Sequence, residues 1–101
     1  MKVIIKKVGK TPEVVDIENT LEAMQKVVGG YIELVPVRTG CVMICNEEGR
    51  IHKLPYNFNL SNNNIVGDVL FTGQKGTDFT DLTESDVEMI LHFFSRTPYT
   101  T

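Results

Sequence analysis

The chain has 101 residues, of which 42% are apolar and 23% charged, with a net charge of −3 and a pI near 5.3. These values describe one globular domain of ordinary size, argue against disorder, and allow a core without metal or disulfide staples. The mild acidity offers no broad cationic surface to a phosphate backbone, so general DNA or RNA binding is disfavoured. No run approaches the ~20 apolar residues of a membrane helix. The start, Met1-Lys2-Val3-Ile4-Ile5-Lys6-Lys7, has too short an apolar stretch for a secretory signal, which predicts a cytoplasmic location.

Residues 2–8 and 13–17 read as two strands around the turn Gly9-Lys10-Thr11-Pro12, with Val3, Ile5, Val14, Val15 and Ile17 as their apolar positions. A short helix follows over about 20–28. Asn19 or Thr20 caps it, with an Asn19–Glu22 capping box as one form, and Leu21, Met24 and Val28 make its buried stripe. Glu22 and Lys26 are spaced as an i,i+4 pair. Gly29-Gly30 ends the helix, since glycine enters the left-handed region without a Cβ penalty.

Three strand-like runs come next: Tyr31–Val37, Cys41–Cys45 and Arg50–Leu54, divided by Arg38-Thr39-Gly40 and the turn Asn46-Glu47-Glu48-Gly49. Pro36 cannot donate to a ladder, which places its strand end at an edge or bulge. Cys41 and Cys45 are separated by about 13 Å of strand and cannot pair there. They read as small buried hydrophobes. Residues 55–64 are Asn-rich, a further strand spans Ile65–Thr72, and Gly73–Asp78 is a loop. The last helix runs over about Glu84–Ser95, capped by Thr83, with Asp86 at its third position and a Leu82–Val87 staple; Pro98 stops it at the latest. The expected architecture is a single α+β domain, mainly antiparallel sheet with two helices, in an order near ββαββββα.

Four stretches carry a family resemblance: Gly29-Gly30-Tyr31-Ile32-Glu33-Leu34-Val35, Cys45-Asn46-Glu47-Glu48-Gly49, Leu54-Pro55-Tyr56-Asn57, and Ile65-Val66-Gly67-Asp68-Val69-Leu70-Phe71. With these the chain resembles domain-of-unknown-function family 3846, an uncharacterised group of short proteins from bacteria, phages and plasmids. The resemblance implies an accessory or regulatory role in a mobile element and brings no catalytic residues, metal or cofactor with it. The Ser61-Asn62-Asn63-Asn64 stretch departs from the family pattern.

Candidate sites are few. Tyr56, Phe58 and Leu60 alternate with Asn57 and Asn59, so an extended chain sets aromatics on one face and amides on the other. This segment is either a recognition loop for a partner, peptide or base, or a cover whose aromatics plug the core. Arg50 and His52 share one strand face and form a small basic cluster, open to an anion or simply solvated. Glu47 and Glu48 sit side by side at a turn and read as a solvated hairpin tip, not as an acid–base pair. His92, one turn after Glu88, reads as its surface partner. No Gly-Lys-Ser/Thr follows the glycine pairs, so a phosphate loop is absent.

On the last helix, Val87, Ile90, Leu91 and Phe94 form the expected core stripe, and Met89 and Phe93 form a second apolar pair turned away from it. That pair is covered by a loop or by the Thr97–Thr101 tail, or it is an interface in a homodimer. The leading expectation is a non-enzymatic interaction module with a protein partner. The alternative is a small, nucleotide-like ligand held by Tyr56, Asn57, Phe58 and Asn59 near Arg50 and His52.

Overall fold

Two strands with continuous apolar runs, Cys41–Asn46 (β4) and Val69–Lys75 (β7), pair antiparallel at the centre of the sheet, and both faces of that pair are covered. The computed structural model describes residues 1–96. In chain order the elements are β1 (Lys2–Lys6), β2 (Glu13–Asp16), α1 (Leu21–Val28), β3 (Ile32–Arg38), β4, β5 (Tyr56–Leu60), β6 (Asn63–Val66), β7, β8 (Asp78–Thr80) and α2 (Glu84–Arg96). The main sheet has the order β2-β1-β7-β4-β3, with β8 paired to the far end of β7; β5 and β6 form a separate hairpin. All pairings are antiparallel. The fold is α+β, as the hydrophobic spacing indicates.

Alternation along the strands divides the core in two. Val3, Val42, Ile44 and Leu70 face α1, where they meet Met24 and Val28. Ile4, Met43, Val69 and Phe71 face the other way, toward α2 and the β5–β6 hairpin, where they meet Ile90, Phe94 and Phe58.

Local chemistry sets the helix ends. Thr20 caps α1, its hydroxyl accepting from Ala23 N–H at 3.1 Å, and Gly29 closes it at φ 79°. Asn19 takes no part in a capping box: its amide donates to Phe79 O at 3.0 Å and ties the loop before α1 to β8. Thr83 caps α2 through Asp86 N–H at 3.1 Å, and Leu82 is buried beside the partly buried Val87, as the staple requires. The Pro98 stop and the Thr97–Thr101 cover lie outside the described residues. Among the described residues no helix is long and apolar enough to cross a membrane.

Four sequence expectations are corrected. First, Arg50–Leu54 is no strand: His52 N–H reaches Glu48 O, Lys53 N–H reaches Arg50 O, and Leu54 N–H reaches Gly49 O, winding the chain into consecutive turns. Ile51 is consequently 75% exposed, while Leu54 is pinned against Gly67, where a Cβ would come within 2.7 Å of Leu54 Cδ1. Second, Ile65–Thr72 breaks at Gly67 (φ 76°) into β6 and β7. Third, Gly73–Lys75 continues β7 and turns through Gly76 into β8, so six strands separate the helices instead of four. Fourth, the buried face of α2 is rotated. Leu91 is exposed, and Met89 and Phe93 are partly buried against the core. Leu21 on α1 is likewise exposed. Neither Glu22–Lys26 nor Glu88–His92 stands among the ion pairs of the described residues.

Candidate functional site

The sheet has an open edge at β3, and hydrogen-bond phase fixes which groups it presents. Gln74 N–H donates to Gly40 O, so the even-numbered residues of β4 bond toward β7. Glu47 N–H donates to Tyr31 O, so the odd-numbered residues of β4 bond toward β3. The backbone groups of Ile32, Leu34 and Pro36 therefore point away from the sheet. Pro36 blunts the far end by lacking a donor, and a register shift between Pro36 and Arg38 ends the regular ladder there.

Beside this edge lies a groove of about 490 Å3, the space between β3, the 46–51 turn and the β5–β6 hairpin. Glu33 and Val35 form one wall, Asn64 and Ile65 another, and Arg50 and Ile51 close the end. Arg50 donates to Asn64 O at 3.0 Å, which binds the turn to the hairpin. Glu33 and Glu47 have no ion-pair partner among the described residues. The Cys45 thiol also lines the groove and donates weakly to Glu33 O at 3.8 Å. Burial, reinforced by the Glu33 carboxylate, pushes its pKa up to about 11. The buried Cys41 is pushed up to about 11 by burial and by Asp86, against the opposing pull of Arg38. Neither thiol is a nucleophile at neutral pH.

A smaller apolar dimple of about 80 Å3 adjoins the groove across Leu60, walled by Val37, Met89, Phe93 and Phe94. The dimple has an aromatic floor of Phe71, Phe93 and Phe94, which the buried Phe58 backs: it meets Phe94 edge-on with ring centroids 4.9 Å apart, and lies 6.2 Å from Phe93 and 6.3 Å from Phe71.

The hairpin is locked down by Asn57, a residue whose role sequence reasoning missed. Its amide donates to Lys6 O at 2.9 Å and Gly67 O at 2.8 Å, and its oxygen accepts from the Lys6 ammonium at 2.8 Å. Lys6 is 2% exposed and lies over the Phe94 ring. Burial lowers its pKa, and the Asp68 carboxylate partly opposes that shift. Asn46 works similarly in the 46–51 turn: it donates to Val28 O at the end of α1 and accepts from Glu48 N–H. At the other end, the buried Asp86 accepts from Arg38 Nε at 2.8 Å and holds α2 to β3. The nearest sequence signal is that Lys6 shares the alternate phase of Ile4 in the first strand, which turns it toward the core.

The six binding candidates therefore do not converge. Phe58 and Asn57 are buried, because the register shift between Tyr56 and Phe58 interrupts the alternation. Tyr56 is 48% exposed and lies outside the groove, and Asn59 bonds Asn64 Oδ1 within the hairpin. Arg50 lines the groove; His52 does not, standing 3.7 Å from Glu48 on the exposed turn instead. Met89 and Phe93 share the adjoining dimple. No group of three or more His, Cys, Asp and Glu side chains is placed to hold a metal among the described residues.

The structure thus defines a small α+β sheet protein whose β3 edge, opposite the β2 edge, lies beside a polar-rimmed groove. A family model described as Domain of unknown function (DUF3846) matches residues 1–95, and the chain belongs to that family. No curated protein and no solved structure matches it.

Proposed function

We propose that the chain is a non-enzymatic interaction module whose contact surface is the groove between β3 and the β5–β6 hairpin. The observation that carries this reading is the outward phase of Ile32 and Leu34 on a strand that, among the described residues, pairs only with β4. An extended segment of a protein partner adds to such an edge through main-chain bonds and takes its specificity from alternate side chains. The groove's one lining thiol among the described residues, Cys45, has its pKa pushed up to about 11 by burial, which favours binding over thiol catalysis there. A cytoplasmic protein partner is part of the same proposal, as is an accessory role in a mobile element, which rests on the family resemblance.

The test is a display library of nine-residue peptides selected on the whole chain, then repeated on Ile51→Asp and on Leu34→Pro. Ile51 is largely exposed, and Leu34 has the same outward phase as Pro36, so thermal melts should confirm that both variants fold. Binders enriched on the wild type and lost on the variants support the reading. No enrichment, or enrichment indifferent to both changes, refutes it.

A second reading has one observation in its favour: the groove volume falls within the range of about 300–1,000 Å3 usual for small-molecule sites. Tyr56, the exposed aromatic needed to stack on a base, lies outside that groove. A nucleotide bound at 100 times its Kd would add ~2.7 kcal/mol of stability, readable as a thermal shift, and the absence of any shift removes this reading.

A further inference from the structure

We propose that the groove selects an extended peptide antiparallel to β3 that carries an aliphatic side chain and, four residues later, a lysine or arginine. This inference rests on the interaction reading above and names the chemistry of its partner.

Three positions of β3 face the groove side: Glu33, Val35 and Val37, which belong to the sheet face packed by α2 and the hairpin. They span about 13 Å of strand. An added strand sets every second side chain opposite this row, so three of its side chains meet three different environments. At Val37 the environment is the dimple of about 80 Å3 lined only by apolar side chains, among them Met89 and Phe93. A wholly apolar lining offers no partner to a polar group, so the dimple suits an aliphatic side chain such as valine, leucine, isoleucine or methionine. At Val35 the walls are Leu60 and Ile65, again apolar. At Glu33 the environment turns anionic, because Glu33 and Glu47 both line the groove there without an ion-pair partner among the described residues. Among the described residues Arg50 is the one cation lining the groove, so two carboxylates stand against a single guanidinium, which donates to Asn64 O. The uncompensated charge is negative, and a cationic side chain complements it.

Direction follows from strand chemistry. Antiparallel pairing is the more stable arrangement. In that direction the ligand meets Val37 first and Glu33 last, giving the order aliphatic, any, apolar, any, Lys or Arg.

A second copy of this chain is a poor occupant. The self-pairing that uses both outward donors, Ile32 against Leu34, centres the two-fold axis on Glu33 and sets like charges directly opposite. Centring on Leu34 instead sets Pro36, which has no N–H, against Ile32 O.

The experiment sequences the peptides enriched on the wild type and on the double variant Glu33→Lys, Glu47→Lys, whose two positions are exposed. The wild type should enrich Lys or Arg four residues after an aliphatic residue, and the double variant should enrich Asp or Glu there. A synthetic wild-type binder should lose at least about tenfold in affinity when its cation becomes Glu, and recover on the double variant. Enriched peptides that bind in the groove with no positional cation, or that ignore the charge inversion, overturn this inference and leave the groove reading standing. A cation that precedes the aliphatic residue overturns the antiparallel order. No groove-dependent enrichment at all brings down both.

Discussion

Replacing Asn57 by aspartate is expected to destabilise the fold, even though it sets a carboxylate against the Lys6 ammonium. The Asn57 amide nitrogen donates to two carbonyls, Lys6 O at 2.9 Å and Gly67 O at 2.8 Å, and its oxygen already accepts from Lys6 Nζ. Aspartate keeps the shape and turns the donor into an acceptor facing both carbonyls. Losing both donated bonds leaves two carbonyls without that donor, at about 1–3 kcal/mol each or about 2–6 kcal/mol together. The new ion pair recovers part of this, and the desolvation of an added carboxylate offsets most of that recovery. The net loss should be about 2–4 kcal/mol. With an m-value of about 1–3 kcal/mol per molar urea, the unfolding midpoint should fall by about 0.7–4 M. The assay is urea denaturation of both proteins followed by circular dichroism at neutral pH. A variant within about 0.5 kcal/mol of wild type would refute the reasoning, showing that the Lys6 charge and not the pair of carbonyl bonds secures the hairpin.

The same hairpin separates Phe58 from Tyr56: Phe58→Ala should cost about 3–5 kcal/mol in a denaturant melt because it empties the aromatic floor, whereas Tyr56→Ala should stay within about 1 kcal/mol. Equal effects would contradict the placement of Phe58 in the core. Arg38→Met should cost about 1–3 kcal/mol in the same assay, because it leaves the buried Asp86 carboxylate without its charged donor. An unchanged midpoint would mean that α2 docks without that bond. The Cys45 pKa is raised from 9.0 to about 11, so the native thiol stays protonated through pH 9 and gains thiolate only as the pH climbs toward 11. Its rate of alkylation by iodoacetamide should accordingly rise about tenfold per pH unit between pH 8 and 10. A plateau by pH 9 would contradict the raised value.

What was legible in the sequence was whatever depends on near neighbours. The Thr83 cap with its Leu82–Val87 staple, the Gly29 stop and the edge position of Pro36 are written in residues at most five apart, and each stands in the structure. Short apolar runs bounded by turn residues found β1, β2, β3 and β4 for the same reason. Long-range choices were not legible. Which face of α2 is buried depends on where β3 and the hairpin lie, and both Leu91 and Met89 satisfy a helical spacing. Arg50–Leu54 looks extended until Leu54 is seen pinned to Gly67. Asn57 looked like a recognition amide because its partners, Lys6 O and Gly67 O, lie 51 and 10 residues away. The groove is assembled from β3, the 46–51 turn and the hairpin, so no single stretch announces it.

Amide hydrogen exchange along β3 tests the open edge most directly. In the free protein, the Ile32 and Leu34 amides should exchange orders of magnitude faster than those of Glu33 and Val35, which bond to β4, and a groove-binding peptide should slow the first pair selectively. Uniform protection of all four in the free protein, or a bound peptide that leaves Ile32 and Leu34 unchanged, would contradict the account.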